Sequence, residues 1–454
     1  IGSGLVGSEM CIRDRYYLIK EISMSKEENR KNFSKYVSQN ILGMIGFSCY
    51  VLADSYFISI AKGADGLTAL NLVMPLYSII FSIGEMIGVG SAIRYAISKI
   101  KKDADADDYF WNALIWCILS SMLFVFAGIF FSADIMRVLG ADEHIVAVGN
   151  NYTKIFMCFA PMFMCNYVTN AFVRNDGAPG IAMSATLFSS LFNIVFDYIL
   201  MFPMNLGMEG AALATALSPI IGMGICSIHF FSKKSSVRLV VCKPSVRKLV
   251  AGCQLGVSAF VGEMSSAVIT LAFNFVILKL AGNVGVAAYG VVANIAIVTT
   301  AVFNGVAQGS QPLISSCFGR GDKDGCTQLK RMGYTTAFVL AAVMYSILFI
   351  FAGQFVAVFN SEGSEMLRLY ATEGVKLYFI GIFFAGINIV GGGAFSATED
   401  AFKAAVVSVA RGFVLILGAV FVMSAFFGMT GVWLAYAVAE GITTFIMLVM
   451  AMRV

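Results

Sequence analysis

The chain has 454 residues, of which 59% are hydrophobic and only 13% charged, and its mean hydropathy is +0.82. A water-soluble domain carries about a quarter of its residues as charges, so this composition excludes one. The ten cysteines form no CxxC pair, and His144 and His229 lie far apart, which argues against a disulfide framework and against a zinc site.

Ile1–Arg15 lacks a starting methionine, a basic start and an apolar core, so it reads as a non-native tail rather than a signal peptide. Met24 is the expected start, and residues 16–35 are expected to form a polar cytoplasmic segment. Apolar runs then follow one another, each long enough to cross a bilayer. The first set is Ser38–Ile60, Leu67–Ile97, Tyr109–Ala133, Ile145–Phe172, Pro179–Phe202 and Gly207–Phe231. The second is Leu249–Leu280, Val286–Cys317, Tyr334–Val358, Leu369–Phe395, Phe402–Phe427 and Gly428–Met450. Lipid offers no partner to backbone amides, so runs that do not alternate apolar with polar are helices, not barrel strands. The predicted fold is an all-α integral membrane protein of about twelve spans.

Lys and Arg gather in alternate loops: before the first run, after the second, after the eighth, and above all in residues 232–248, where six basic residues stand without an acid. By the positive-inside rule both termini are cytoplasmic. The basic loop divides an N-lobe, 36–231, from a C-lobe, 249–454.

Shifting the sequence by 219 places Gly63, Gly66, Gly90, Ser91 and Asp103 on Gly282, Gly285, Gly309, Ser310 and Asp322 without a gap. At a shift of 221, Gly207–Ala216 falls on Gly428–Ala437. A repeat of six spans has even parity, so both copies point the same way and a pseudo-two-fold axis runs along the membrane normal. Two such lobes enclosing a midplane cavity is a transporter plan.

Several segments then carry a family resemblance: Ala53-Asp54-Ser55-Tyr56-Phe57-Ile58, Arg174-Asn175-Asp176-Gly177 opening a loop, Asn193-Ile194-Val195-Phe196-Asp197-Tyr198, Gly207–Ala216, Gln308-Gly309-Ser310-Gln311-Pro312-Leu313 and Gly319-Arg320-Gly321-Asp322. In order and spacing they resemble the multidrug and toxic compound extrusion family across nearly all of Lys35–Val454.

An ionisable residue inside a membrane helix needs a partner or a function. Tyr50 and Asp54 share a helix face, as do Asn193 and Asp197. With Asn170 and Thr215 they would supply the oxygens that suit a proton or Na+. The resemblance implies a cation-coupling site at Asp54, Asn170, Asn193, Asp197 and Thr215, with Tyr50 beside it. The second half lacks this set: Asp54 falls on Phe273, Asp197 on Val420, Thr215 on Tyr436 and Asn170 on Gly393. Glu263 resembles a coupling glutamate of one family branch, and Glu85 either attracts cationic substrates or pairs across the lobes. Arg411 and Glu440 read as a structural ion pair. Asp103–Asp108 reads as a solvated loop rather than a magnesium motif, because no second acidic cluster faces it. Gly305 and Gly309 read as close packing inside the C-lobe.

The resulting expectation is a secondary multidrug exporter, not an enzyme, without cofactor and driven by H+ or Na+. Its partners would be small amphipathic, often cationic compounds and the lipid bilayer, with no nucleic acid, and the chain would act as a monomer in the plasma membrane. A lipid-linked-precursor flippase is a rival, weakened by the acidic intramembrane charge. A membrane prenyltransferase-type enzyme is a remote one.

Overall fold

The computed structural model describes residues 26–359 and 364–452; the tail 1–15, the stretch 16–25 and Met24 lie outside the described residues. Among those described, regular structure is helical throughout. Nine helices are long and apolar enough to cross a membrane, and a pair bent by 46° at Phe159 adds a tenth. Gly282 and Gly428 turn the backbone inside two of them, and twelve spans result. They are α1 Lys26–Gly63, α2 Asp65–Ile100, α3 Asp108–Val138, α4 Glu143–Cys158 with Ala160–Asn175, α5 Pro179–Met201, α6 Gly207–Phe230, α7 246–281, α8 283–319, α9 Lys323–Ile350, α10 Glu365–Ala397, α11 401–427 and α12 429–452.

The repeat is written into the backbone. Gly63 (φ 60°, ψ −141°) and Gly282 (φ 61°, ψ −157°) make the same sharp turn between paired spans, in a region that side chains with a Cβ rarely enter. Gly207 and Gly428 form a second matched pair, at φ 53° and 57°. Two large hydrophobic cores follow, centred on the first six and the last six helices.

Three expectations need correction. First, α1 starts at Lys26 and α9 at Lys323, well before the apolar runs at Ser38 and Tyr334. Charged helical ends extend beyond the apolar stretch, and Asp322 caps α9 by accepting from Gly325 N at 2.8 Å. The apolar end of the ninth run is separate, as the short helix Ala352–Phe359. Second, Gly305 and Gly309 pack between the lobes, not inside one: a Cβ on either would press into the α1 backbone at Ile41 and Val37. Accordingly Phe33 and Val37 of α1 are buried in the second core. The repeat supplies the mirror contact, with Gly90 of α2 against Gly252 and Gly256 of α7.

Third, the acidic run is not merely solvated. Asp108 pairs with Lys248, Asp107 takes Lys99 at 2.6 Å and the Arg238 amide at 3.4 Å, and Asn112 accepts from Ser245 N at 2.7 Å. Asp176, nearly fully buried, accepts from Tyr95 Oη at 3.1 Å, from Ser236 N at 2.9 Å and from the Ser236 hydroxyl, and meets His229 Nε2 at 2.8 Å. The interlobe linker is therefore strapped along the first lobe rather than hanging free.

Candidate functional site: a buried acidic centre and two cavities

The first lobe gathers four of its six predicted polar residues into one structure. Asp54 (α1), Asn193 and Asp197 (α5) and Thr215 (α6) are all buried. Oriented to satisfy both ends of its amide, Asn193 donates to Asp197 Oδ2 at 3.1 Å and accepts from Thr215 N at 3.2 Å and Thr215 Oγ1 at 3.1 Å. Pro219 lacks the N–H that would bond the carbonyl four residues back, and Ser218 Oγ donates to that Thr215 oxygen at 3.0 Å instead. Asp54 Oδ1 and Asp197 Oδ1 are buried without a hydrogen-bond partner. The two carboxylates lie within each other's electrostatic reach.

Tyr50, within electrostatic reach of Asp54 and Asp197, helps to line a cavity of about 1000 Å³ that neither carboxylate lines. Asn170 lines the same cavity but takes no part in the acidic centre. Its amide donates to Ala182 O at 3.1 Å and Thr186 Oγ1 at 3.2 Å, at the start of α5. That commitment corrects the five-residue site.

Glu85 and Glu263 line both this cavity and a second one, of about 720 Å³, in the other lobe. Glu85 is placed at the seam between the lobes. It faces the cavities, and its Oε1 accepts from Gln308 Nε2 of α8 at 3.2 Å, across the lobes. Gln308 Oε1 in turn accepts from Arg174 Nη1 at 2.7 Å. Arg174 is helical and buried in the last turn of α4, not in a loop. This Arg174–Gln308–Glu85 relay was missed from sequence, as were Tyr77 and Tyr152, whose buried hydroxyls bond each other near Asp54.

The second lobe answers with a closed set. Arg411 lies on a π-turn, 410–414, a distortion often found where a helix re-aims a functional side chain. Its Nη2 and Nε reach Glu440 Oε1 at 2.7 and 3.0 Å. Asn388 donates to Glu440 Oε2 at 2.7 Å and accepts from Thr444 Oγ1 at 3.0 Å. The predicted ion pair is present, with both charges satisfied.

Apart from the Gln308 bonds to Glu85 and Arg174, the interlobe bonds cluster at one end, that of the basic linker. Arg94 pairs with Glu399, whose other oxygen lies 3.6 Å from Lys101 Nζ. Arg94 Nε also donates to Ala251 O at 3.2 Å, and Gln328 Nε2 donates to Lys26 O at 3.0 Å. Among the described residues, no group of three or more His, Cys, Asp and Glu forms a metal site.

Twelve spans in two repeated lobes, with cavities meeting at the seam between them, define a polytopic membrane protein of transporter architecture. The profile of the MatE family matches residues 40–199 and 259–421, once on each lobe, and the chain belongs to that family. The chain is similar to the multidrug export protein MepA of Staphylococcus aureus, 27% identical over 414 residues, covering 88% of this chain and 89% of that protein. MepA of Staphylococcus saprophyticus is 26% identical over 409 residues, with the same coverage. In structure it is similar to an outward-facing MATE family transporter of the MOP superfamily, with a TM-score of 0.88, 20% identity and coverage of 95% of this chain and 96% of that one. A MOP superfamily transporter of Pyrococcus furiosus described as having a reversed binding-pocket polarity gives a TM-score of 0.86 at 20% identity, over 94% and 96%.

Proposed function

We propose that this chain is a multidrug exporter that exchanges amphipathic, often cationic organic compounds for H+ or Na+. The observation that carries the reading is the buried pair Asp54 and Asp197, each with an oxygen lacking any partner. Buried carboxylates without a fixed counter-charge are costly, so a mobile cation is the natural complement. Asn193 and Thr215 add amide and hydroxyl oxygens of the kind a proton or Na+ uses. Relatives named for multidrug export, matched over 88% of the chain, support the cargo class.

With the basic linker on the cytoplasmic side, as the positive-inside rule assigns it, the interlobe bonds close the cytoplasmic end. The cavities then serve the outer side, and the arrangement represents the outward-facing stage of an alternating cycle. A cation entering from outside neutralises the acidic centre near Tyr50. The hydrogen bonds of α1, α5 and α6 rearrange, and cargo leaves the cavity that Tyr50 helps to line. One cation crossing with the potential contributes about 2.3 kcal/mol per 100 mV, enough for a modest cargo gradient. Glu85 and Glu263 at the cavity rims favour positively charged cargo.

The test is efflux from proteoliposomes under an imposed proton or sodium gradient. Cargo movement should follow one of the two gradients in the wild type and vanish in Asp54→Asn and Asp197→Asn. Gradient-driven efflux that survives both substitutions would sink the assignment.

A further inference from the structure

The two cavities are copies of one another. At the offset of 219 that aligns the lobes, Met44, Phe47, Phe81, Glu85 and Val89 fall on Glu263, Ser266, Thr300, Asn304 and Gln308, and all ten side chains line the cavities. Duplication has kept the pocket and changed its chemistry. Along this face, four apolar positions of the first cavity have become one acid, two hydroxyls and an amide in the second, and the acid Glu85 has become a neutral amide; elsewhere Asn40 has become Ala259 and Asn170 has become Gly393.

The polar positions are ordered. Thr300, Asn304, Gln308 and Gln311 are spaced 4, 4 and 3 along α8, so they form a single stripe on one helical face. All four line the second cavity. Such a stripe in a membrane helix costs free energy unless its groups find partners. Gln308 has its partners in Arg174 and Glu85. Gln311, which lines the same cavity, has its Oε1 buried with no hydrogen-bond partner. Glu85, Val89, Glu263 and Gln308 border both cavities, so the two join at the seam.

We propose that the second-lobe cavity is a hydrogen-bonding subsite. It takes the hydroxyl, amide or amino-bearing end of an amphipathic cargo, while the Met44, Phe47 and Phe81 wall of the first-lobe cavity takes its apolar ring system. The cargo's cationic centre lies between them, at Glu85 and Glu263. The two cavities adjoin through shared lining residues, so one elongated molecule can reach into both. This subsite rests on the exporter reading for its cargo class.

Two aromatic cations separate the subsite from the rest of the pocket. Doxorubicin joins a flat ring system to an amino sugar, whereas tetraphenylphosphonium has no hydrogen-bonding group at all. Equilibrium binding of each is measured on the purified full chain in nanodiscs, with no ion gradient. Ser266→Phe and Thr300→Phe install the first-lobe residue, and Asn304→Leu removes an amide while keeping the same branching and number of heavy atoms. Each should weaken doxorubicin binding by roughly five- to tenfold, the worth of about one hydrogen bond, and leave tetraphenylphosphonium within about twofold. Thr300→Ser keeps the hydroxyl and should retain wild-type doxorubicin affinity. Retained tetraphenylphosphonium binding also shows that a variant is folded. The proposal is overturned if doxorubicin affinity is unchanged in all three variants, or if Asn304→Leu weakens both probes alike. Wild-type export of the probes tests the exporter reading separately, since selectivity among variants is read from binding alone.

Discussion

Helices α5 and α6 carry Asn193, Asp197 and Thr215; their repeat counterparts α11 and α12 carry Arg411 and Glu440. In the first lobe the carboxylates are buried with oxygens left unpartnered. In the second, Glu440 is held by Arg411 and Asn388, and Asn388 by Thr444. The same scaffold thus accommodates buried charge in two ways. A centre that supplies its own counter-ion is fixed and belongs to the architecture. A centre that lacks one is, on the exporter reading proposed above, the place where a cation is gained and lost.

That contrast can be broken by substitution. The largest effect is expected at the first centre: Asp54→Asn should reduce efflux at least a hundredfold while leaving thermal stability equal to wild type or above it, because no fixed partner is orphaned. Efflux assays and the melting temperature of the purified protein read the two halves of this prediction. Glu440→Gln should do the reverse. Leaving Arg411 buried without its carboxylate costs about 3–5 kcal/mol, seen as a clear drop in melting temperature, and Arg411→Met combined with Glu440→Leu should recover most of it. A Glu440→Gln variant as stable as wild type would erase the distinction between the lobes.

A smaller effect is expected at the seam. Glu399 sits at φ 59°, where its counterpart at a shift of 222 is Gly177, and it holds Arg94 and Lys101 across the lobes. Glu399→Gly relaxes the backbone and removes both pairs, so interlobe distances from pulsed electron paramagnetic resonance should shift toward the form open at the basic end, with little change in melting temperature. The smallest lies at the opposite end, at the exposed first turns of α2 and α4, ahead of their apolar stretches. There His144 Nε2 meets Asp65 Oδ2 at 2.9 Å, and that bond raises the imidazole above its ordinary pKa of 6.5. A raised folded-state value means that the contact is fully present below pH 6.5 and lost as pH rises through the raised value. Asp65→Asn should return the His144 titration, followed by NMR, to near 6.5 and leave efflux intact.

Much of this was open to reading in the sequence because the bilayer makes composition informative. Apolar runs revealed helices, glycines at fixed offsets revealed the duplication, and Asp54 and Asp197 stood out as charges where charge is costly. What stayed hidden depends on contacts between distant segments. Lys26 and Lys323 begin helices whose polar first turns look like loops on a hydropathy scale. Gly305 and Gly309 show that a close approach exists but not which helix fills it. Gln308 and Arg174 are unremarkable until the lobes are brought together, and Asn170 carries the right chemistry but turns it toward Ala182 and Thr186.

The contacts of Gly90 with Gly252 and Gly256, and of Gly305 and Gly309 with α1, press main chain against main chain with almost no side chain between. Interdigitated side chains would have to unlock before two helices could roll over each other, whereas smooth backbone surfaces can roll without changing a rotamer. Because the repeat makes the two contacts equivalent, they form matched close approaches on either side of the pseudo-two-fold axis, and on the alternating-access reading proposed above any rocking of the lobes turns on both together. A single added methyl at one of them is then a wedge in a shared axle: it would stall the half of the molecule it does not touch as surely as the half it does.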